Sequence, residues 1–129
     1  MMKEAKVFAD SYQLGLIVFE RTKAFPKHLR PTLGRKLEEG VITLLVAVRE
    51  ACLLKGSTRF KKLQQASHAL DEIRILCQMS CDLRVFSAGM YHDISVLTSE
   101  IGREIGGFIR HERGQRNGEN KPKTIRSGV

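Results

Sequence analysis

The spacing of apolar residues is the feature that most constrains this chain, because it follows the helical repeat along four segments. The second segment shows it best, with Leu33, Leu37, Val41, Leu44 and Val48 on one face. The predicted helices are Asp10–Phe25, Pro31–Leu54, Arg59–Phe86 and Met90–His111. Short connections make sequential helices antiparallel. We therefore expect an all-α, up-down-up-down antiparallel four-helix bundle.

The 129 residues suit a single domain, which we place at residues 1–113. Residues 114–129 are rich in Gly, Asn and Lys and show no periodicity, which predicts a flexible basic C-terminal tail. The N-terminal residues form no apolar run typical of a signal peptide, and the longest apolar run, Val41–Val48, is too short to span a membrane. Three cysteines make no even disulfide framework. These observations predict a cytoplasmic location for the protein.

Basic residues are concentrated in two places. The chain has 22 Lys and Arg against 14 Asp and Glu, a formal charge of +8 that would attract nucleic acid or an acidic partner. The segments Arg21–Lys36 and Lys55–Lys62 contain no acid, and the bundle topology places them at opposite ends. Such ends suit contact with phosphates more than reading of bases. The candidate nucleic-acid-binding residues are Arg21, Lys23, Lys27, Arg30, Arg35, Lys36, Lys55, Arg59, Lys61 and Lys62.

No pattern of catalytic or metal-binding residues stands out. Cys77 and Cys81 share a helix face, but Cys77 belongs to the apolar stripe, so we expect buried reduced thiols rather than a metal site. Arg21 and His28 have the spacing of the Arg–His pair of HEPN-type ribonucleases, yet Pro26 interrupts it. Neither a glycine-rich phosphate loop nor a catalytic triad is evident. We expect no enzymatic activity, no cofactor and no metal.

Three glycines lie in the last predicted helix, at Gly102, Gly106 and Gly107. Each costs about 1 kcal/mol relative to alanine inside a helix, so a compensating close contact is expected. They flank the apolar stripe of Ile101 and Ile105 rather than belong to it. Either a neighbouring helix or a second protomer could approach them, and the spacing leaves both open.

Several motifs in the last two helices and one in the Arg21–Lys36 segment are similar to a known family. They are LDEIR (70–74), CDLR (81–84), YH (91–92), EIGR (100–103), IGGFI (105–109) and LGRKL (33–37). Over residues 10–112 the chain resembles the accessory variability determinant (Avd) proteins of diversity-generating retroelements. Phe108 stands where that family usually has Trp, which keeps an aromatic ring there.

The resemblance implies a non-catalytic bundle protein that assembles into a basic, barrel-like homopentamer. It would bind RNA or DNA and the reverse transcriptase of the element, and so support mutagenic cDNA synthesis. Arg74 and Arg84 are candidate partner-binding residues. The alternative is a basic interaction protein of the 23S rRNA intervening-sequence type, with an acidic protein partner and no retroelement role. In that type an Asn-Ile-Ala-Glu-Gly-like motif occupies the position of VREACLLKG (48–56). Its absence here favours the resemblance to Avd proteins.

Overall fold

A computed structural model describes the backbone of residues 2–128 and the side chains of residues 3–115. It contains α1 (Met2–Thr22), a π-helical turn (Arg30–Gly34), α2 (Arg35–Leu53), α3 (Gly56–Asp82) and α4 (Ala88–Gly128). Each helix packs against the next, and α1 also packs against α4. No strand occurs in the described backbone. The predicted all-α four-helix bundle is therefore confirmed.

The core is the apolar seam that the four helices share. Leu14, Leu37, Ile73 and Ile101, one from each helix, are completely buried. Burial of side chains of this size contributes about 1.5 to 3 kcal/mol each, before the entropy cost of ordering them. The predicted stripes of α2, α3 and α4 form this seam, so the helical repeat identified the buried faces of these helices correctly.

The start of α1 differs from the prediction, because the helix begins at Met2 rather than Asp10. Val7 is buried two turns before Leu14 and extends the same stripe. Lys6 holds the first turns in place, since its Nζ donates to Asp10 Oδ2 at 2.9 Å and to Glu104 Oε2 of α4 at 2.6 Å. Charged residues surround Val7 in the sequence, and they obscured the helical pattern there.

The connection between α1 and α2 is compact. The ring of Phe25 packs edge-on against Phe86, with centroids 5.5 Å apart, so this connection lies against the one between α3 and α4. Arg30 donates to the carbonyl oxygens of Phe25 (3.1 Å) and Lys23 (2.8 Å), which satisfies backbone acceptors beyond the end of α1. The π-helical turn that follows contains Pro31, whose missing N–H costs little in a first turn.

The connection between α3 and α4 begins earlier than predicted, because α3 ends at Asp82 and not at Phe86. Arg84 has a positive φ of 64°. Its N–H donates to Cys81 O and that of Val85 donates to Ser80 O, both at 2.9 Å. This is a Schellman motif, in which glycine usually occupies the left-handed position. The N–H of Met90 then donates to Ser87 Oγ at 3.0 Å, so Ser87 caps α4.

The connection between α2 and α3 is the tightest. Gly56 has a positive φ of 64°, as a turn glycine can, but it is the first residue of α3 rather than the cap of α2. Lys55 is the N-cap of α3 and makes no side-chain capping bond. The Thr58 hydroxyl instead donates to Lys55 O at 2.7 Å.

The C-terminal prediction falls mostly beyond the described side chains. Of the predicted tail at residues 114–129, only Gly114 and Gln115 have described side chains, and both are exposed. The backbone of α4 continues to Gly128, past the predicted helix end at His111, whereas the flexibility of the tail stays a prediction. Across the described helices, no stretch is both long and apolar enough to cross a membrane.

The left-handed residue Arg84 gives a direct test of the α3–α4 connection. Replacing Arg84 with Gly removes the steric strain of a side chain at positive φ, so we expect the free energy of unfolding to rise by about 0.5 to 1 kcal/mol. Arg84→Ala is the matched control, because it removes the same side chain and keeps the strain. Urea denaturation would measure both variants, and equal stability of Gly and Ala at this position would contradict the assigned turn.

Candidate nucleic-acid interface

Six basic side chains project from one end of the bundle, which we call the basic end. They lie on the last turn of α1, the connection after it and the first turn of α2, and all six are exposed. They are Arg21, Lys23, Lys27, Arg30, Arg35 and Lys36. The structure thus brings together the whole first cluster that the sequence predicted.

Within the described part of the chain, the ion pairs that compete for these charges are weak. Lys23 lies 3.4 Å from Glu20, while Arg35 and Lys36 lie 3.7 and 3.9 Å from Glu39. Each of these pairs is exposed, and pairs of that kind contribute about 0 to 1 kcal/mol. Such pairs exchange readily for a phosphate, so the basic end keeps most of its positive potential.

The basic end stands on a rigid base. Phe25 and Phe86 are 2% and 3% exposed, and their contact fixes the α1–α2 connection against the α3–α4 connection. Arg84 is exposed in the second of these connections and adds a positive charge at the same end. Arg74, the other predicted partner-binding residue, lies on α3 about two turns before the helix ends. It faces α4.

The second predicted cluster, Lys55–Lys62, lies at the opposite end and is less uniform. Lys55 and Lys61 are exposed, whereas Lys62 Nζ lies 2.9 Å from Glu50 Oε1 on α2. Arg59 is only 12% exposed at its side chain. Two of these four basic residues therefore have partners within the bundle, and this end is the weaker candidate for binding phosphate.

Arg59 is the centre of a contact network that joins all four helices. Its Nη1 lies 2.8 Å from Glu4 Oε2 of α1 and donates to Ala51 O of α2 at 2.9 Å. Its Nε lies 3.2 Å from Glu112 Oε2 of α4, and its guanidinium carbon lies 5.3 Å from the ring centroid of Phe108. The predicted phosphate contact is thus a structural arginine, because two carboxylates already neutralise it.

The three glycines of α4 have different surroundings. A Cβ added at Gly102 would lie 3.3 Å from Arg74 Nη1 and 3.5 Å from Leu70 Cδ2, so α3 packs closely there. At Gly106 and Gly107 an added Cβ would approach only the guanidinium of Arg110, at 3.4 and 3.9 Å. A neighbouring helix therefore explains Gly102, while a contact with a second protomer stays a prediction for the other two.

The cysteines are free thiols, and they do not form a metal site with their neighbours. Cys77 is buried, whereas Cys52 and Cys81 are partly buried. Burial raises the pKa of the Cys77 thiol to about 12, which keeps it protonated and unreactive at neutral pH. Among the described residues, no group of three His, Cys, Asp or Glu side chains is placed to hold a metal ion.

Arg59 gives the sharpest test of the network. Arg59→Met keeps much of the apolar stem but removes the guanidinium that links α3 to Glu112 and to Ala51 O, so we expect a loss of about 2 to 4 kcal/mol in the free energy of unfolding. Lys61→Met is the matched control, because Lys61 is exposed on the same helix. Denaturant unfolding measures both, and equal effects would contradict a structural role for Arg59.

Comparison with known proteins adds no relative. No protein-family model matches the chain, and no curated protein is significantly similar to it. The resemblance to Avd proteins therefore rests on the sequence motifs.

Proposed function

We propose that this protein is a non-catalytic accessory subunit that binds nucleic-acid phosphates through its basic end and acts beside the reverse transcriptase of a diversity-generating retroelement. The observation that carries the binding proposal is the basic end itself, with six exposed cations on a rigid base and only weak competing ion pairs. The retroelement role and the polymerase partner are supported by the sequence motifs.

The chemistry of the basic end favours contact with the phosphate backbone. Lys and Arg supply charge and hydrogen-bond donors to phosphates without regard to sequence. Stacking of bases needs exposed aromatic rings, and the rings of the two connections at this end, Phe25 and Phe86, are buried, while the 40% exposed Phe19 lies on α1. We therefore propose binding with strong salt dependence and little base specificity, to RNA, DNA or both.

An apolar surface supports assembly into a homo-oligomer, for which the resemblance suggests a pentamer. Tyr12, Leu16 and Phe19 on α1 are 40% to 57% exposed, and Ile42 and Val46 on α2 are each 50% exposed. Gly15 packs against Leu45, so these two strips flank the same α1–α2 seam. Large apolar side chains exposed on neighbouring helices are typical of protein interfaces. Several copies would also multiply the phosphate contacts that each basic end offers.

The polymerase contact is proposed at the basic end or beside it. Arg84 is exposed in a turn whose backbone is fixed by its own hydrogen bonds, which suits a defined protein contact. The alternative function, a basic interaction protein without nucleic acid, uses the same charges for an acidic protein partner. Binding measured with purified components separates these two functions.

The nucleic-acid proposal predicts a large salt effect. We expect affinity for a single-stranded oligonucleotide to fall with a slope of about 0.7 per phosphate contacted, on a double logarithmic plot against salt. The triple variant R21Q/K27Q/R35Q should weaken binding at least about tenfold and reduce that slope. Filter binding measures both, with Arg49→Gln as the control, because Arg49 is exposed near the end of α2 that lies opposite the basic end.

An unchanged affinity between low and moderate salt would overturn phosphate binding at the basic end. Wild-type protein that binds no oligonucleotide but captures an acidic protein partner would favour the alternative function instead.

The assembly proposal predicts that a charge in the apolar strip separates the protomers. Leu16 is 57% exposed, so Leu16→Glu should leave the bundle folded while light scattering shows a monomer. Ile75→Glu is the matched control, because Ile75 is 64% exposed on the outer face of α3. A wild-type protein that is monomeric at all concentrations would contradict the proposal.

A further inference from the structure

The groove between α3 and α4 is a second concentration of positive charge, distant from the basic end. Its volume is about 460 Å³, and three arginines line it, Arg74 from α3 with Arg103 and Arg110 from α4. Ser67 and Ser99 contribute hydroxyl groups to the same walls. The sequence alone does not reveal this site, because Arg74 and Arg110 lie far apart along the chain.

Two of these guanidinium groups lie close to glycines of α4, one to Gly102 and one to Gly106. Arg74 Nη1 is 3.3 Å from the position of a Cβ at Gly102, and Arg110 Nη1 is 3.4 Å from that of a Cβ at Gly106. Larger side chains at these positions would displace the guanidiniums from the helix surface. Gly102 and Gly106, which are four residues apart on one face of α4, therefore let two arginines lie close to the helix backbone.

The described residues do not balance the charge of the groove. Arg103 is paired with Glu100 at 2.5 Å. In contrast, neither Arg74 nor Arg110 has a carboxylate within 4.0 Å among the described residues, and the one hydrogen bond of the Arg74 guanidinium goes to Ser99 Oγ at 3.4 Å. Among the residues with described side chains, Asp71 is the one acid that lines the groove. The site therefore keeps a net positive charge that a bound anion would neutralise.

We propose that this groove binds a backbone phosphate of a nucleic acid, held by Arg74 and Arg110 over the glycine strip. A guanidinium fork pairs with two oxygens of an anion, so one arginine is enough to satisfy a carboxylate. A phosphate has further oxygens, and a second guanidinium with the hydroxyls of Ser67 and Ser99 supplies donors for them. The number of donors favours a phosphate over the carboxylate of an acidic peptide.

This inference rests on the proposed nucleic-acid function and adds a second contact to it. The basic end and the groove lie at different positions on one bundle, so a strand held at the end would be held again along its side. The groove would then fix the direction in which a bound strand leaves the basic end.

The test compares binding of a fluorescently labelled, mixed-sequence single-stranded oligonucleotide by full-length variants. We expect R74Q/R110Q to bind at least about tenfold more weakly at low salt, with a slope lower by about 0.7 to 1. Ser99→Glu is a second variant, which places a carboxylate beside Arg74 and should weaken binding without removing an arginine. Arg49→Gln is the control with unchanged affinity, and circular dichroism checks that each variant is folded.

The outcomes separate the two proposals. Loss of binding in both R74Q/R110Q and Ser99→Glu supports the groove. Wild-type affinity in these variants, together with loss in R21Q/K27Q/R35Q, overturns the groove and leaves the basic end intact. Polyglutamate that binds as tightly as the oligonucleotide, with equal loss in the groove variants, overturns the phosphate assignment. A wild-type protein that binds no oligonucleotide overturns both proposals.

Discussion

The packing of the four helices at one end depends on the charge network around Arg59. A single guanidinium from α3 contacts Glu4 of α1, the carbonyl of Ala51 on α2, and both Phe108 and Glu112 of α4. Apolar contacts are non-directional, so several neighbouring registers of the helices would bury similar areas. Directed bonds from one planar group to three other helices favour a single register. In this way a charged residue specifies the alignment of an otherwise apolar core.

The arginines of this protein serve several purposes, so the net charge overstates the charge available to a partner. Arg59 is neutralised inside the bundle, and Arg30 donates to backbone carbonyls of the connection after α1. Arg84 occupies a left-handed turn position. Arg74 and Arg110 lie against glycines with no carboxylate beside them among the described residues. Burial and pairing, rather than position in the sequence, distinguish the arginines that can meet a phosphate.

At the glycines of α4, the low helix propensity of glycine is offset by close contacts with other side chains. Glycine weakens a helix because it gains the most freedom on unfolding. At Gly102 the loss is offset by the close approach of α3 through Leu70 and Arg74, and at Gly106 the space is taken by the side chain of Arg110. A helix that tolerates glycine can thus hold guanidinium groups close to its backbone. Larger residues in place of Gly102 and Gly106 would keep the guanidinium groups away from the helix backbone.

The helical fold, the buried faces of α2, α3 and α4, and the grouping of the basic end can all be predicted from the sequence. These features follow from local periodicity and from charges that are neighbours along the chain. Helix ends were less predictable, because the early start of α1 depends on the bond from Lys6 to the distant Glu104, and the turn at Arg84 lacks the glycine that usually marks a Schellman motif. The internal position of Arg59 and the groove that Arg74 shares with Arg110 come from helix packing, since they join residues far apart in sequence. Which charges face solvent is a property of packing, and a linear pattern does not contain it.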